Sequence, residues 1–291
     1  MADARHGDPR LAIVIVSYNA RADLERCLRS LRDAPPSTRH EIVVFDNASS
    51  DGSAEAAAKW PGVRVLRSDR NLGFAAGTNA GIRATTAPLL LFLNSDTSVP
   101  AHSIDELVRN LEAHASEGVV AAGPRLIDAD GYPELSFGSM VGPLAELRQK
   151  VVGGCYTRRY RWAVAYVRRR TSAAHYPEWV SGACMLVRRE AAEAAGLFDE
   201  RYFLYLEDVD FCAALRRQGG RILFASGVEV LHFRGRSGVQ QRAAVNAAYR
   251  RSQLAFYEKH HPRWAPLLRL YLRARGQLPD VKGHRPFEMS R

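Results

Sequence analysis

A chain of 291 residues is long enough for one large domain, or a domain with a substantial appendage, around an ample core. Its 46% hydrophobic and 25% charged residues match ordinary globular usage and exclude a disordered or fibrous chain. The formal charge of +10 points to anionic partners: a nucleotide, nucleic acid or the anionic surface of a membrane.

The longest apolar runs, 11–16 and 89–93, fall far short of the roughly 20 residues needed to cross a bilayer. Residues 1–10 are polar and mixed in charge, with no apolar segment behind them of the kind a secretory signal carries, which points to the cytoplasm. Cys27, Cys155, Cys184 and Cys212 are widely separated and form no C-x-x-C pair. They read as reduced and mostly buried, not as a zinc ribbon or a disulfide framework.

In chain order, 11–16 is a short, mostly β-branched strand, and 20–32 carries Leu24, Cys27, Leu28 and Leu31 at helical spacing. A strand at 41–45, a short helix at 53–60, a strand at 63–67 and a glycine-opened helix at 74–85 follow. Then come a strand at 88–93, a helix at 103–114 and a strand at 119–122. Such alternation predicts an α/β fold with a mostly parallel sheet and helices on both faces. Ligands of these sheets sit at the carboxyl ends of the strands, where strand order reverses. Here those ends are Ser17-Tyr18-Asn19, Asp46-Asn47, the stretch 71–79 and Asn94-Ser95-Asp96, a polar, amide-rich and acidic set.

After about Pro124 the rhythm changes to a Gly/Pro-punctuated stretch up to Pro143 and a basic stretch up to Arg170. Alternation resumes with a strand over 179–187, a helix from Arg189, an acidic helix start at Glu207-Asp208, and strands at 221–225 and 228–233.

Asp96 closes an apolar strand, where a carboxylate can hold Mg²⁺ or Mn²⁺ through hard oxygen contacts while the metal bridges phosphates. The plainer reading is a turn before Pro100. Asp46 suits the imide N–H of uracil or thymine, because a carboxylate only accepts, although the segment up to Ser53 is also good turn and capping chemistry. The stretch from Asn71 to Asn79 opens a helix through Gly73, so backbone N–H groups can meet phosphate or ribose. It is not G-x-G-x-x-G and follows the third strand, which disfavours a dinucleotide site. Glu207, Asp208 and Asp210 lie in one first helical turn, where acids favour the helix dipole, yet three in four positions exceed what capping needs. Asp208 suits a general base held near the metal. His232 can complete a metal shell while Arg234 or Arg236 clamps a diphosphate, against the plainer reading of a structural histidine.

In the basic stretch, Tyr156, Tyr160, Ala163 and Val167 recur at i, i+4, i+7 and i+11, so one helix there would carry an aromatic-apolar stripe flanked by arginine. Trp264, Leu267, Leu268, Tyr271 and Leu272 form a second such set. Each suits an anionic membrane surface, or a helix packed on the domain with solvated arginines.

In their order these motifs resemble the family 2 inverting glycosyltransferases, which have the GT-A fold, and among them bacterial rhamnosyltransferases of cell-wall and O-antigen assembly. The stretches 16–19, 44–53, 71–79, 93–96, 179–182 and 207–210 and His232 carry the resemblance. It implies a nucleotide-sugar site of Ser17, Asn19, Asp46, Asn47, Asn71, Gly73, Asn79, Asn94, Ser95, Arg234 and Arg236. It further implies a divalent Mg²⁺ or Mn²⁺ on Asp96 and His232, and Asp208 as catalytic base. Trp179, Ser181, Gly182 and Glu207 would stand beside the donor sugar and acceptor. The family's aspartate-x-aspartate motif has Asn94 in first place here, one carboxylate fewer.

On this reading 1–10 is a tail, 11–123 the nucleotide-sugar-binding half, and 124–238 the acceptor-binding and catalytic half with a basic insert at 144–175. Residues 239–291 form a C-terminal helical extension. The rhamnosyltransferase likeness selects dTDP-rhamnose, ahead of a UDP-hexose or UDP-galactofuranose. The basic helices favour a lipid-linked acceptor at the inner face of the cell membrane.

A nucleotidyltransferase shares the layout but carries a basic glycine-rich loop after its first strand, where this chain has Ser17-Tyr18-Asn19-Ala20. A nucleic-acid-binding protein would place its arginines along the crevice; here they lie in the insert and tail, so no nucleic-acid partner is expected.

Overall fold

The computed structural model describes residues 7–233 and 242–279. The strands are β1 (Leu11–Ser17), β2 (His40–Asp46), β3 (Val63–Arg67), β4 (Leu89–Asn94), β5 (Thr97–Ser98), β6 (Val119–Ile127), β7 (Phe137–Gly138), β8 (Trp179–Val180), β9 (Cys184–Arg188) and β10 (Arg221–His232). The helices are α1 (Arg21–Asp33), α2 (Ser53–Ala57), α3 (Phe74–Arg83), α4 (Ser103–Ala113), α5 (Pro143–Thr157), α6 (Arg161–Arg170), α7 (Arg189–Ala194), α8 (Glu207–Arg217), α9 (Arg242–His260) and α10 (Ala265–Ala274).

Eight strands form one sheet in the order β3-β2-β1-β4-β9-β6-β10-β5. The pairs β1–β2, β2–β3, β1–β4 and β6–β10 are parallel, while β9 runs antiparallel between β4 and β6. Side chains alternate along a strand, so β1 serves both faces. Leu11, Ile13 and Ile15 join one core with Leu24, Leu28 and Leu31 of α1 and Leu107 and Leu111 of α4. Ala12 and Val14 join the other, with Phe92, Phe198, Phe211 and Phe256. Each α1 leucine is at most 2% exposed and contributes about 2 kcal/mol of apolar burial. Gly81 lets α3 lie close on β1, since a Cβ there would stand 2.4 Å from Val14 Cγ1.

Strand order reverses between β1 and β4. Their carboxyl ends adjoin, with Val16 opposite Asn94 and Ser17 opposite Asp46 of β2. The three polar strand ends therefore stand in a row, as the alternation implied.

Four elements differ from the sequence expectation. The strand at 119–122 continues to Ile127, so the boundary at 123/124 falls inside β6 and both halves share the sheet. The strand over 179–187 is two, β8 and β9, because Ser181 leaves it to donate its N–H to Ser136 O at 2.7 Å. The strands at 221–225 and 228–233 are one, β10, with a register shift between Ala225 and Glu229. The stripe from Tyr156 to Val167 does not ride one helix: α5 ends before Arg158, Arg159 turns at φ 57°, and α6 restarts at Arg161. Ala163 and Val167 are fully buried and Tyr156 OH donates to Pro133 O at 2.5 Å, so much of that stripe faces the domain.

Within the expected extension at 239–291, the described residues 242–279 carry α9 and α10, and α9 is locked onto the core. Lys259 Nζ and His260 Nε2 reach the buried Asp210 carboxylate at 2.8 and 2.6 Å, and Gln253 Nε2 donates to Glu146 of α5 at 2.7 Å.

Candidate active site

At the β1–β2 rim, amide side chains tie the loops together. Asn19, at φ 48°, accepts from Ser50 N at 2.8 Å and donates its own N–H to Ser49 Oγ at 3.0 Å. Asn47 accepts from Leu72 N at 2.7 Å and donates to Gly73 O at 3.1 Å, while Asn71 Oδ1 accepts from Gly73 N at 3.0 Å. Gly73 sits at φ 86°, and a Cβ there would lie 2.4 Å from Phe203 O, so only glycine fits. Asn79 spends its whole amide on Phe198 N, Phe198 O and Glu200 Oε1 at 3.0, 2.8 and 2.9 Å, which makes it a brace across to the 198–200 segment.

Asp46 and Ser17 are different. Asp46 is 3% exposed; one oxygen accepts from Ser49 N at 3.1 Å, and the other, Oδ1, is buried with no hydrogen-bond partner among the described residues. Ser17 Oγ is orphaned in the same way on the adjoining strand. An unmet buried acceptor costs about 1–3 kcal/mol. A donor such as an imide N–H would remove that cost.

At the β4 end, Asn94 N donates to Ala183 O at 2.9 Å, and half-buried Ser95 leads to Asp96. Thr97 of β5 pairs with His232 of β10, which sets Asp96 Oδ1 3.3 Å from His232 Nε2. The other ring nitrogen, Nδ1, lies 3.2 Å from Oε2 of Glu134, a carboxylate only 6% exposed. Burial opposes charge on this ring, but the hydrogen bonds with Asp96 and Glu134 outweigh it and lift its pKa to about 9.

The donor set fits a divalent cation. Two cis ligands of an octahedral ion stand about 3 Å apart, close to the observed gap, and a carboxylate behind a histidine is the usual way to aim its other nitrogen. No three His, Cys, Asp or Glu side chains form a ready metal cluster among the described residues. Two protein ligands with phosphate oxygens and water is the arrangement a phosphate-bound Mg²⁺ favours.

Across the crevice, the break between β8 and β9 frees the Gly182 N–H to donate to Asp208 Oδ2 at 2.9 Å, and Val209 N donates to Oδ1 at 2.8 Å. Asp208 is thus fixed at the first turn of α8 while remaining half-buried. Glu207 beside it is 7% exposed, and its Oε2 has no hydrogen-bond partner among the described residues. Burial first, then the Asp208 charge, push the Glu207 carboxyl well above its ordinary range, which favours the protonated form. Trp179 is 8% exposed with its N–H donated to Ser139 O at 2.9 Å, so it braces this wall. Asp210 points inward to Tyr202, Lys259 and His260 and serves the fold. Arg234 and Arg236 lie outside the described residues.

Glu134 is the participant that sequence reasoning missed. It stands in the irregular stretch before β7, without periodicity or a recognisable neighbour, and only the fold brings it to His232. One short segment then links both walls of the crevice: Glu134 touches His232, and the Ser136 carbonyl holds Ser181, next to Gly182 and Asp208.

The model of the family "Glycosyl transferase family 2" matches residues 12–217. The N-acetylglucosaminyl-diphospho-decaprenol L-rhamnosyltransferase of Mycobacterium tuberculosis is 32% identical over 275 residues, covering 88% of this chain and 87% of its own length. A low-salt glycan biosynthesis hexosyltransferase of Haloferax volcanii is 25% identical, over 76% of this chain and 66% of its own. Among solved structures, a Pyrobaculum calidifontis mannosyltransferase in complex with GDP-Man and Mn²⁺ superposes with a TM-score of 0.59 at 18% identity, covering 90% of this chain and 69% of the other. S. aureus TarS gives 0.57 at 14% identity, covering 92% and 77%. The chain belongs to glycosyl transferase family 2 and is a glycosyltransferase of the GT-A fold.

Proposed function

We propose that the enzyme moves rhamnose from dTDP-rhamnose to a hydroxyl of a lipid-linked saccharide, with inversion and with a divalent metal. The observation that carries the reading is the Asp208 carboxylate, pinned by the Gly182 and Val209 N–H groups, with the 134–136 segment running from His232, the partner of Asp96, to Ser181 beside Gly182. The likeness to the M. tuberculosis enzyme supports the choice of donor sugar and of a diphosphate-linked acceptor.

The steps follow from charge. Asp46 Oδ1 and Ser17 receive the pyrimidine end of the donor. Asp96 and His232, aimed by Glu134, would hold Mg²⁺ or Mn²⁺, which supplies positive charge to the departing diphosphate. Asp208 accepts the proton of the acceptor hydroxyl as that oxygen attacks the anomeric carbon from the face opposite the leaving group. Gly182 holds the base in place through its N–H, and the buried Glu207, held protonated beside Asp208, would stand at the donor sugar and acceptor. Arg234 and Arg236 are retained as candidate diphosphate contacts.

No described helix is long and apolar enough to cross a membrane. Leu144, Leu147 and Val151 of α5 are 83%, 61% and 53% exposed; of the expected stripe at α10, Trp264, Leu267 and Tyr271 are 50%, 56% and 46% exposed and Leu270 beside them 64%, whereas Leu272 is buried and Leu268 packs against the core, so that part of the stripe faces the domain. His261 Nε2 lies 2.6 Å from Val141 O, which joins the starts of the two helices at one corner. These stripes with their arginines suit peripheral attachment to an anionic inner membrane face.

The test is a panel of nucleotide-sugars with Mn²⁺ or Mg²⁺, read by thermal shift and then by transfer to a diphosphate-linked N-acetylglucosaminyl lipid. dTDP-rhamnose is expected to stabilise and to turn over. Stabilisation by no pyrimidine donor would overturn the reading.

A further inference from the structure

An open cavity of about 420 Å³ lies between α6 and the turn before Glu134, lined by Tyr132, Arg159, Arg161, Val164, Ala165 and Arg168. The α6 members stand at i, i+3, i+4 and i+7, so a single helix face forms one wall. Arg159 sits 3.8 Å over the Tyr132 ring and is committed to Asp128 and Asp130, each at 3.1 Å. Arg168 lies 5.7 Å from the same ring, and neither Arg168 nor Arg161 makes an ion pair among the described residues. Three guanidinium groups against two carboxylates, with two of the three unspent, make a cavity built for an anion. Planar paired donors favour phosphate.

Its place relative to the crevice is fixed by the chain. Tyr132 is two residues from Glu134, hence within about 8 Å of it along the backbone, and Glu134 touches His232. Two residues further, Ser136 holds Ser181 beside Gly182 and Asp208. On the outer side, α6 packs against α5, whose Leu144, Leu147 and Val151 are exposed. Basic cavity and apolar stripe therefore lie on one helix pair beside the catalytic wall.

We propose that this cavity binds the diphosphate of a lipid-linked acceptor, holding the sugar between it and Asp208 while the lipid follows the α5 stripe. This rests on the proposed function for the identity of the acceptor. Arg161 and Arg168 are then specificity residues that discriminate phosphate-bearing acceptors from neutral ones.

The test pairs the full chain with an R161Q/R168Q variant, whose melting temperature should match because both side chains are exposed. Farnesyl diphosphate, titrated calorimetrically in EDTA to keep the metal pair out of play, should bind the variant about tenfold or more weakly. With a diphosphate-linked N-acetylglucosaminyl lipid, KM should rise by a similar factor at unchanged kcat. KM for a phosphate-free alkyl glycoside of the same sugar should stay constant. Unchanged farnesyl diphosphate binding, equal changes for both acceptors, or a loss confined to phosphatidylglycerol vesicles would each overturn the proposal. If no donor supports transfer, the proposed function fails, and the farnesyl diphosphate titration still decides the cavity.

Discussion

The two sides of the crevice are built differently. On the β1–β2 side, amides and serines bind one another's backbones, leaving one Asp46 oxygen and the Ser17 hydroxyl buried with no hydrogen-bond partner among the described residues. On the α8 side, the acids Glu207, Asp208 and Asp210 share one helical turn, each disposed of differently: to burial, to backbone N–H groups, and to Lys259 and His260. On the proposed function, the first side is the mould for a base, and the second spends charge to place the carboxylate proposed to react. Asp208 and Asp210 sharpen the contrast, since two residues on one helical turn divide chemistry from architecture.

The largest effect is expected at Asp208. Asp208→Asn should lower kcat by about 10²–10⁴-fold while keeping donor binding and melting temperature, measured by radiolabelled transfer beside a donor thermal shift. An intact kcat would put the base elsewhere.

Asp210→Asn should do the reverse, costing about 3 kcal/mol in urea unfolding because it strips the carboxylate from Lys259 and His260 in a buried network. Burial opposes the Asp210 charge, but hydrogen bonds from His260 and Lys259 outweigh it, so its folded pKa lies below the ordinary value. A depressed carboxylate gives its stability above the unfolded pKa of about 3.9 and loses it as pH falls through the folded value. The gap between wild type and variant should therefore be full at neutral pH and shrink in acid titrations below about pH 4.

On the mould side, Asp46→Asn should weaken dTDP binding about tenfold or more, since an amide N–H would meet a donor. Binding of inorganic pyrophosphate should be unaffected; equal losses for both would remove Asp46 from base recognition. The smallest effect is at the surface. Leu144→Glu with Trp264→Glu should cut sedimentation with phosphatidylglycerol vesicles several-fold at unchanged kcat for a water-soluble acceptor.

Legibility in the sequence follows the same division. The strand ends were readable because a polar group directly ends each apolar strand, so the places of Asp46, Asn94 and Asp96 in the fold could be read from position alone. Asp208 could be read because it opens a helix whose remaining residues are core. Glu134 could not, since its partner His232 is 98 residues away and no local pattern surrounds it. Asp210 gave no sign of its role because Lys259 is 49 residues on. The stripe from Tyr156 to Val167 misled for a physical reason: helical spacing persists in sequence across a three-residue break, but the left-handed turn at Arg159 redirects the second helix. Asn79 and Trp179 occupy the expected neighbourhood, yet both spend their polar groups on the protein's own backbone.

The most direct measurement is the anomeric configuration of the product, followed by NMR in a reaction of dTDP-rhamnose with a diphosphate-linked N-acetylglucosaminyl lipid. An acceptor hydroxyl that gives its proton to Asp208 and attacks opposite the leaving diphosphate predicts a single product of inverted configuration, absent with Asp208→Asn. A retained configuration, or undiminished product from that variant, would contradict it.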